Sequence, residues 1–239
     1  MRCVSLLALV VVGACSNGGD EPMIILGNTA QMTGATACMY TGDPSQPITA
    51  SGTISVASQM GYQVAPLIQS RITSPMGEEL TRTIEVQGAT VELSIPNGST
   101  SISLDSNEAA FQAFFAVAVP PQGTANVQFE LIPETVIAKV AKLGALGDAM
   151  NPVSVEVVAE VTLFGEFGGS RVTGQTWQYP VTICNDCVVS LDGVAPSYFC
   201  PLTITTIRTG DPCNPYQDGA VDCCVDMASN MLECPGPTM

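Results

Sequence analysis

The sequence predicts a mainly β fold: an antiparallel β-sandwich with one short helix and a disulfide-rich C-terminal region. Three observations lead to this prediction. Apolar and polar residues alternate with a period of two along several segments, which is typical of half-buried strands. Glycine-rich and proline-rich turn signals separate these segments. Seven of the ten cysteines lie after residue 183 of the 239-residue chain.

The clearest strand covers residues 153–163, where every odd position is apolar and most even positions are polar. A glycine-rich turn at 165–170 leads into residues 171–183, where Trp177, Tyr179, Val181 and Ile183 share one face. The two segments predict a long β-hairpin. Because Trp177 is the single tryptophan, we expect it to anchor the core.

Shorter apolar sets predict further strands upstream. They are Ile54 with Val56; Tyr62, Val64, Ile68 and Ile72; Ile84 with Val86; Val91, Leu93 and Ile95; Phe111, Phe115, Val117 and Val119; and Val127, Phe129 and Leu131. Pro66 requires an edge position or a bulge. Near Gly88 the apolar positions change from even to odd, which indicates a turn or bulge. Turns are expected at 96–99 and 120–123. About eight strands favour a sandwich of immunoglobulin-like or related type.

One helix is predicted between these strands, over residues 133–143. Pro133 and Glu134 suit a first helical turn, Lys139 and Lys142 suit the C-terminal end, and Gly144 ends the helix. The apolar face consists of Val136, Ile137, Val140, Ala141 and Leu143. The alternative is that residues 135–137 extend a strand.

The first fourteen residues have the features of an export signal. Arg2 precedes an apolar stretch over 4–12, and Val12-Gly13-Ala14-Cys15 follows. This stretch is shorter than the roughly 20 apolar residues that a membrane-spanning helix needs, and no later segment reaches that length. We therefore predict a cleaved signal peptide at 1–14 and no transmembrane helix.

Residues 12–15 resemble the lipobox of bacterial lipoproteins, in which small residues separate an aliphatic residue from a lipidated cysteine. The resemblance implies lipid on Cys15, and two or more acyl chains make a stable membrane anchor. Ser16, rather than Asp, implies the outer membrane of a Gram-negative cell, on its periplasmic or cell-surface face. The alternative is an ordinary signal peptide, which would leave Cys15 free or disulfide-bonded.

Four segments follow from these patterns. The signal peptide occupies 1–14, a polar, glycine-rich tether 15–22, a β-sandwich body 23–183, and a cysteine-rich region 184–239. A division of the body near Asn151 is an open alternative to one undivided body. Seven basic residues against 22 acidic ones give a formal net charge of −15, which argues against a nucleic-acid partner.

Eight cysteines remain if Cys3 leaves with the signal peptide and Cys15 is lipidated: Cys38, Cys184, Cys187, Cys200, Cys213, Cys223, Cys224 and Cys234. An even number in an exported chain predicts disulfides, whose pairing the sequence leaves open. Seven of the eight lie after residue 183. Cys38 must therefore reach a distant partner and tie the N-terminal segment to the C-terminal region.

The residues that carry chemistry are few, since the chain contains no histidine. Histidine is the commonest general base, and its absence excludes the Ser-His-Asp triad and imidazole metal sites. Glu156 and Glu160 would lie about 13 Å apart along one strand, at about 3.3 Å per residue. We interpret them as a solvated face and expect neither catalysis nor a cofactor.

Two groups of residues, one of cysteines and one of aspartates, could have a chemical role instead of a structural one. Cys184-Asn-Asp-Cys187 has redox spacing, but it ends a strand and Asp186 opposes thiolate formation, so a structural disulfide is favoured. A zinc site with Cys223 and Cys224 is less favoured. Four aspartates, Asp211, Asp218, Asp222 and Asp226, are weak calcium candidates. Their spacing lacks the EF-hand pattern, and we favour a polar disulfide-rich loop without metal.

The C-terminal half carries a second resemblance. Residues 179–188, the run Cys213-Asn-Pro-Tyr-Gln-Asp-Gly and the run Asp222-Cys-Cys are similar to uncharacterised envelope lipoproteins of myxobacteria and their relatives. The resemblance implies an envelope origin and no catalytic residue.

The sequence is compatible with three functions. The first is a lipid-anchored, non-enzymatic structural or interaction component of the cell envelope, with an envelope protein or polysaccharide as partner. The second is an accessory binding module for polysaccharide or calcium, which requires exposed aromatic side chains or a cation site. The third is a hydrolase that uses carboxylates alone and requires two acidic residues converging in a cleft.

Overall fold

The chain forms sixteen strands and two helices within the residues that the structure, a computed structural model, describes. Those residues are 21–30, 38–40, 42–58, 60–73, 75, 82–96, 102–142, 154–185, 187–190, 208–211, 213–225, 228 and 232–233. The strands are β1 Met23–Thr29, β2 Ile48–Thr49, β3 Gly52–Ser55, β4 Tyr62–Val64, β5 Pro66–Ser70, β6 Ile84–Ser94, β7 Ala110–Val119, β8 Thr124–Asn126, β9 Phe129–Ile132, β10 Ser154–Phe167, β11 Ser170–Thr173, β12 Trp177–Cys184, β13 Val189–Ser190, β14 Val221–Asp222, β15 Cys224–Val225 and β16 Leu232–Glu233. The helices are α1 Ser106–Ala109 and α2 Glu134–Lys142.

Two large sheets account for most of the strands. The first sheet has the order β2-β1-β5-β8, and the second sheet has the order β3-β12-β10-β6-β7, with β11 also paired to β10. One hydrophobic cluster takes buried side chains from both sheets, including Met23 and Ile68 from the first and Val91 and Val161 from the second. The fold is therefore mainly β and sandwich-like, as predicted. It departs from a purely antiparallel sandwich at β3, which runs parallel to β12.

The predicted hairpin is present. The odd residues of β10 from Val155 to Leu163 are fully buried, because alternate side chains of a strand point to one face. The turn is shorter than expected and consists of Gly168 and Gly169, both with positive φ. The returning chain is divided into β11 and β12, and both pair with β10.

Trp177 is not the core anchor that the sequence suggests. It is half-buried at the margin of the core and packs on Tyr179, with ring centroids 4.8 Å apart. Tyr179 is fully buried. Because Trp177 begins β12, its large ring lies at the end of the strand, and Tyr179 is the aromatic residue that fills the interior.

The expected strand around Pro66 is two strands. β4 pairs with β9, whereas β5 begins at Pro66 and joins β1 in the first sheet. Proline fits the first position of a strand, where its missing N–H costs least. β1 itself was not predicted, because its sequence Met-Ile-Ile-Leu-Gly-Asn-Thr lacks regular alternation.

The helix prediction is confirmed by α2, where Val136, Ile137 and Val140 are buried. Leu143 and Gly144 lie outside the described residues. The four-residue α1 was not predicted. The Lys139 ammonium forms an ion pair with Asp105 at 2.7 Å and another with Glu108, so the two helices are linked.

Disulfides join distant parts of the chain. Cys38 is bonded to Cys213, 175 residues further on, and Cys184 is bonded to Cys187. Cys223 and Cys224 are also disulfide-bonded. The predicted turn at 96–99 is described only at its first residue, while Asn151, Cys200, Cys234 and everything up to residue 20, Cys15 included, lie outside the described residues. None of the helices in the described ranges is long and apolar enough to cross a membrane.

Candidate functional site

The outward face of the second sheet contains two adjacent β-bulges. The pairing of β10 with β6 shifts register between Phe164 and Gly165, which leaves Gln87 as an extra residue on β6. The pairing of β6 with β7 shifts between Val86 and Gly88. These shifts confirm the bulge predicted from the change of apolar parity near Gly88. Bulges bend a sheet and redirect side chains, and they are common next to binding sites.

Gly88 forms the floor between two phenylalanine rings. It pairs with Phe164 on one neighbouring strand and with Phe114 on the other. The two rings meet edge to face with centroids 6.0 Å apart. A Cβ atom at Gly88 would collide with the Phe164 ring and the Ala113 carbonyl oxygen. A glycine is thus required for this aromatic pair, and Phe114 is left 75% exposed.

A groove of about 450 Å³ lies around the exposed ring. Its lining residues are Gln87, Thr90, Gln112, Phe114, Phe164, Gly165, Arg171, Val172 and Thr173. Its volume is within the range of small-molecule sites. The lining combines aromatic surface with amide, hydroxyl and guanidinium groups, so the groove can offer apolar contact and directed hydrogen bonds together.

Glutamates flank the groove on the same sheet face. Glu85 lies directly opposite Glu166, and Glu92 lies directly opposite Glu160. Like charges in opposite positions destabilise a sheet. Arg171 lies opposite Glu166 on β11 and contributes a positive charge to the groove lining.

Glu156 and Glu160 lie on this outward face, as the solvated-face interpretation expects. Glu156 is exposed and Glu160 is half-buried. The Glu160 carboxylate accepts a hydrogen bond of 2.8 Å from the Gln178 amide. Neither glutamate lines the groove.

A second polar site lies where residues 213–219, here called the docking loop, contact the body. The Gln63 N–H donates to the Gln217 side-chain oxygen at 2.8 Å, and the Gln217 amide donates to the Gln63 carbonyl at 2.7 Å. Likewise the Thr53 N–H donates to the Asp218 carboxylate at 2.7 Å, and the Asp218 N–H donates to the Thr53 carbonyl at 2.9 Å. These reciprocal pairs fasten the docking loop to the start of β3 and to β4.

A network of buried hydroxyl groups continues inward from the docking loop. The Tyr62 hydroxyl donates to the Asp218 carboxylate at 2.6 Å and lies 3.1 Å from the Tyr179 hydroxyl. The Tyr179 hydroxyl in turn is 2.9 Å from the Thr49 hydroxyl and accepts a hydrogen bond from the Asn28 amide at 3.2 Å. Buried polar groups need such partners, because an unpaired one costs about 1–3 kcal/mol.

The electrostatics of this network keep both phenols neutral. Burial raises the pKa of Tyr62, and the neighbouring Asp218 carboxylate raises it further. Burial also raises the pKa of Tyr179. For Asp218, burial of the carboxylate raises the pKa and the hydrogen bonds from Tyr62, Thr53 and Gln217 oppose that rise.

The calcium candidates are engaged in hydrogen bonds in the structure. Asp222 is buried, and its carboxylate binds the Arg208 guanidinium at 2.6 and 2.9 Å. Asp211 accepts a hydrogen bond of 2.6 Å from the Cys213 N–H, while Asp218 binds the body as above. Asp226 lies outside the described residues. Within the described ranges, no three His, Cys, Asp or Glu side chains are grouped to hold a metal.

The cysteine pair at the end of β12 is a disulfide. Cys184 is buried and Cys187 is exposed. Since Cys223 and Cys224 are disulfide-bonded as well, these four sulfurs are not the thiolates that zinc requires.

Sequence reasoning missed the main members of both sites. Phe114 occupies an even position in a segment whose inward apolar residues are odd. A large aromatic residue on the outward face of this strand was the available signal. Gln87 and Arg171 carry no such signal. The partners Tyr62 and Asp218 are 156 residues apart, and nothing local indicates their contact.

Comparison with known proteins gives a structural similarity but no family. No protein-family profile matches the chain, and no curated protein matches it. A solved structure described as the crystal structure of a protein from Archaeoglobus fulgidus is similar over 55% of this chain and 90% of its own, with 14% identity and a TM-score of 0.34. A similarity this low carries no argument about function.

Proposed function

We propose that this chain is an exported bacterial lipoprotein, held at the outer membrane by lipid on Cys15, whose folded body acts as a non-enzymatic structural or interaction component of the envelope. The observation that carries the proposal is the Cys38–Cys213 disulfide. Disulfides persist in oxidising compartments and are rare in the bacterial cytosol. The lipobox-like residues 12–15 add the anchor.

The tether sets how far the body can extend from the membrane. Residues 15–22 connect the lipidated cysteine to Met23, where β1 begins. Eight residues span at most about 29 Å when fully extended, at about 3.6 Å per residue. The body is therefore held within a few nanometres of the membrane surface, where it meets envelope components directly.

The non-enzymatic assignment is supported by composition. The chain has no histidine, so the commonest acid–base chemistry is missing. The carboxylates near the docking loop are occupied with backbone and tyrosine partners. A carboxylate-only hydrolase remains the alternative, and hydrolysis of polysaccharides by the purified chain would favour it.

Mass spectrometry of the mature N-terminus tests the anchor. The expected result is a chain that begins at Cys15 with diacylglyceryl and acyl groups, found in the membrane fraction. Cys15→Ala should abolish lipidation and release the protein from that fraction. Cys3→Ala is the matched control and should leave anchoring unchanged, because Cys3 lies in the segment that is removed.

Two results would overturn the proposal. One is a mature chain with an unmodified Cys15, and the other is a Cys15→Ala variant that stays membrane-bound. Thiol labelling in intact cells gives an independent check: Cys38 and Cys213 should resist the reagent until a reductant is added. Free thiols at both positions would contradict export to an oxidising compartment.

A further inference from the structure

We propose that the groove around Phe114 binds a neutral oligosaccharide. The inference goes beyond the lipid anchor and does not depend on it, since the groove lies on the folded body. It rests on three features of the outward face of the second sheet: an exposed ring packed against a second ring, a polar lining that matches sugar hydroxyls, and the local distribution of charge.

The exposed ring contacts a second aromatic ring. Phe114 is 75% exposed, more than Met39, Ile48 or Met60, the other exposed large apolar residues of the described chain. Its edge-to-face contact with Phe164 over Gly88 restrains the side chain before any ligand arrives. A phenylalanine side chain has only two rotatable bonds and loses little conformational entropy on binding. Its free face offers apolar surface to the C–H groups of a sugar ring.

The polar lining surrounds this ring with hydrogen-bonding groups of both kinds. Gln87 and Gln112 each supply a carbonyl acceptor and an amide donor, Thr90 supplies a hydroxyl, and Arg171 supplies several donors. A sugar hydroxyl both donates and accepts. Mixed amide and hydroxyl groups beside an apolar surface therefore match a polyhydroxylated ligand better than a purely apolar one.

The charges favour a ligand without net charge. The Glu85–Glu166 and Glu92–Glu160 pairs and the formal net charge of −15 repel anionic polymers. A cationic segment would be attracted to the flanking glutamates, outside the groove lining, and would meet the positive charge of Arg171 only within it. A neutral oligosaccharide meets neither repulsion and can use the Arg171 donors, so it is the occupant that this surface fits.

Isothermal titration calorimetry on the full chain, in a detergent without a sugar headgroup, tests the proposal. The probes are cellohexaose, chitohexaose and maltohexaose at millimolar concentration. At least one should bind, and Phe114→Ala should weaken that binding by about tenfold or more, a change equivalent to roughly 1.4 kcal/mol. Arg171→Ala is the second variant and should also weaken it.

Met60→Ala is the matched control, because it truncates another exposed apolar side chain that does not line the groove. Its affinity should equal that of the wild type. Three outcomes overturn the proposal: no heat with any of the three probes, equal affinity in wild type and both groove variants, or tighter binding of an anionic polysaccharide such as heparin. None of these results bears on lipidation of Cys15, which mass spectrometry of the mature N-terminus tests. The anchor proposal and the groove proposal can therefore fail independently.

Discussion

The interior of the second sheet and the interface of the docking loop are stabilised in different ways. In the sheet, Val157, Val161 and Leu163 are fully buried among apolar neighbours. Their hydrophobic contribution to the free energy of folding is roughly proportional to the apolar area buried and does not depend on direction. At the docking loop, the Tyr62 hydroxyl donates a hydrogen bond to Asp218, and Gln217 exchanges two hydrogen bonds with the Gln63 backbone. A disulfide adds a covalent connection.

The two regions should therefore tolerate different substitutions. An apolar core can repack after a change of shape, with a cost that follows the lost volume. A polar interface depends on every member having a partner, because one missing group leaves another unpaired. Changes in the core should lower global stability, whereas loss of a hydrogen bond at the docking loop should loosen one part of the molecule. The disulfide is the exception, because it acts mainly on the unfolded chain and so affects global stability.

The largest effect is expected from the Cys38–Cys213 disulfide. Replacing both cysteines with serine should lower the free energy of unfolding by about 5 kcal/mol, because the bond closes a very long loop in the unfolded chain. Urea unfolding monitored by circular dichroism measures the change. The matched control is replacement of Cys184 and Cys187, whose short loop predicts about 2 kcal/mol. An equal or larger loss in the control would contradict the loop-length explanation.

Leu163→Ala tests the contribution of the apolar core to stability. Leu163 is fully buried, so the cavity should cost about 2–5 kcal/mol and lower amide protection throughout both sheets. Ile48→Ala, at a residue 51% exposed, should change stability by about 0.5 kcal/mol or less. If Leu163→Ala lowered amide protection in β10 alone, the two sheets would not share one core.

Tyr62→Phe breaks the docking interface without a change of volume. It removes the donor to Asp218 and the partner of the Tyr179 hydroxyl, which should cost about 1–3 kcal/mol. Hydrogen exchange should increase at the docking loop and in β3 and β4 while β10 stays protected. Tyr216→Phe on the same loop is the control and should leave hydrogen exchange in β3 and β4 unchanged. A loss of protection spread evenly over the second sheet would refute the distinction between the two regions.

The smallest effect concerns alkaline pH. The folded-state pKa of Tyr62 lies above its ordinary value of 10.0, so the unfolded chain releases this proton first as the pH rises. The contribution of the neutral phenol to the free energy of unfolding is fully present below about pH 10 and falls as the pH rises further. Melting temperatures measured from about pH 8 to 11 should decline less steeply for Tyr62→Phe than for the wild type. Parallel curves would exclude a role for Tyr62 ionisation.

Local pattern predicted most of the regular structure. The alternation of residues 153–163, the helix around Val136 and the parity change at Gly88 all correspond to observed features. Each is a short-range signal, since period and parity follow from backbone geometry. β1 was missed because its sequence has no clear period, and the division at Pro66 was missed because one residue can begin a strand as well as interrupt it.

The candidate sites were less predictable, for a physical reason. The groove needs side chains from β6, β7, β10 and β11, and the network needs Asn28, Tyr62, Tyr179 and Asp218. Such contacts depend on strand order and register. Neither quantity follows from composition or spacing, because many pairings satisfy the same alternation.

Local sequence patterns were sufficient to predict the fold class, the helix α2, the position of the bulge near Gly88 and a distant partner for Cys38. Tertiary structure alone decided that Tyr179 rather than Trp177 fills the core, that Asp218 meets Tyr62, and that Phe114 stays exposed over Gly88. Periodicity reports which face of a strand is buried. Only the packed sheets determine which residues from distant segments share that face.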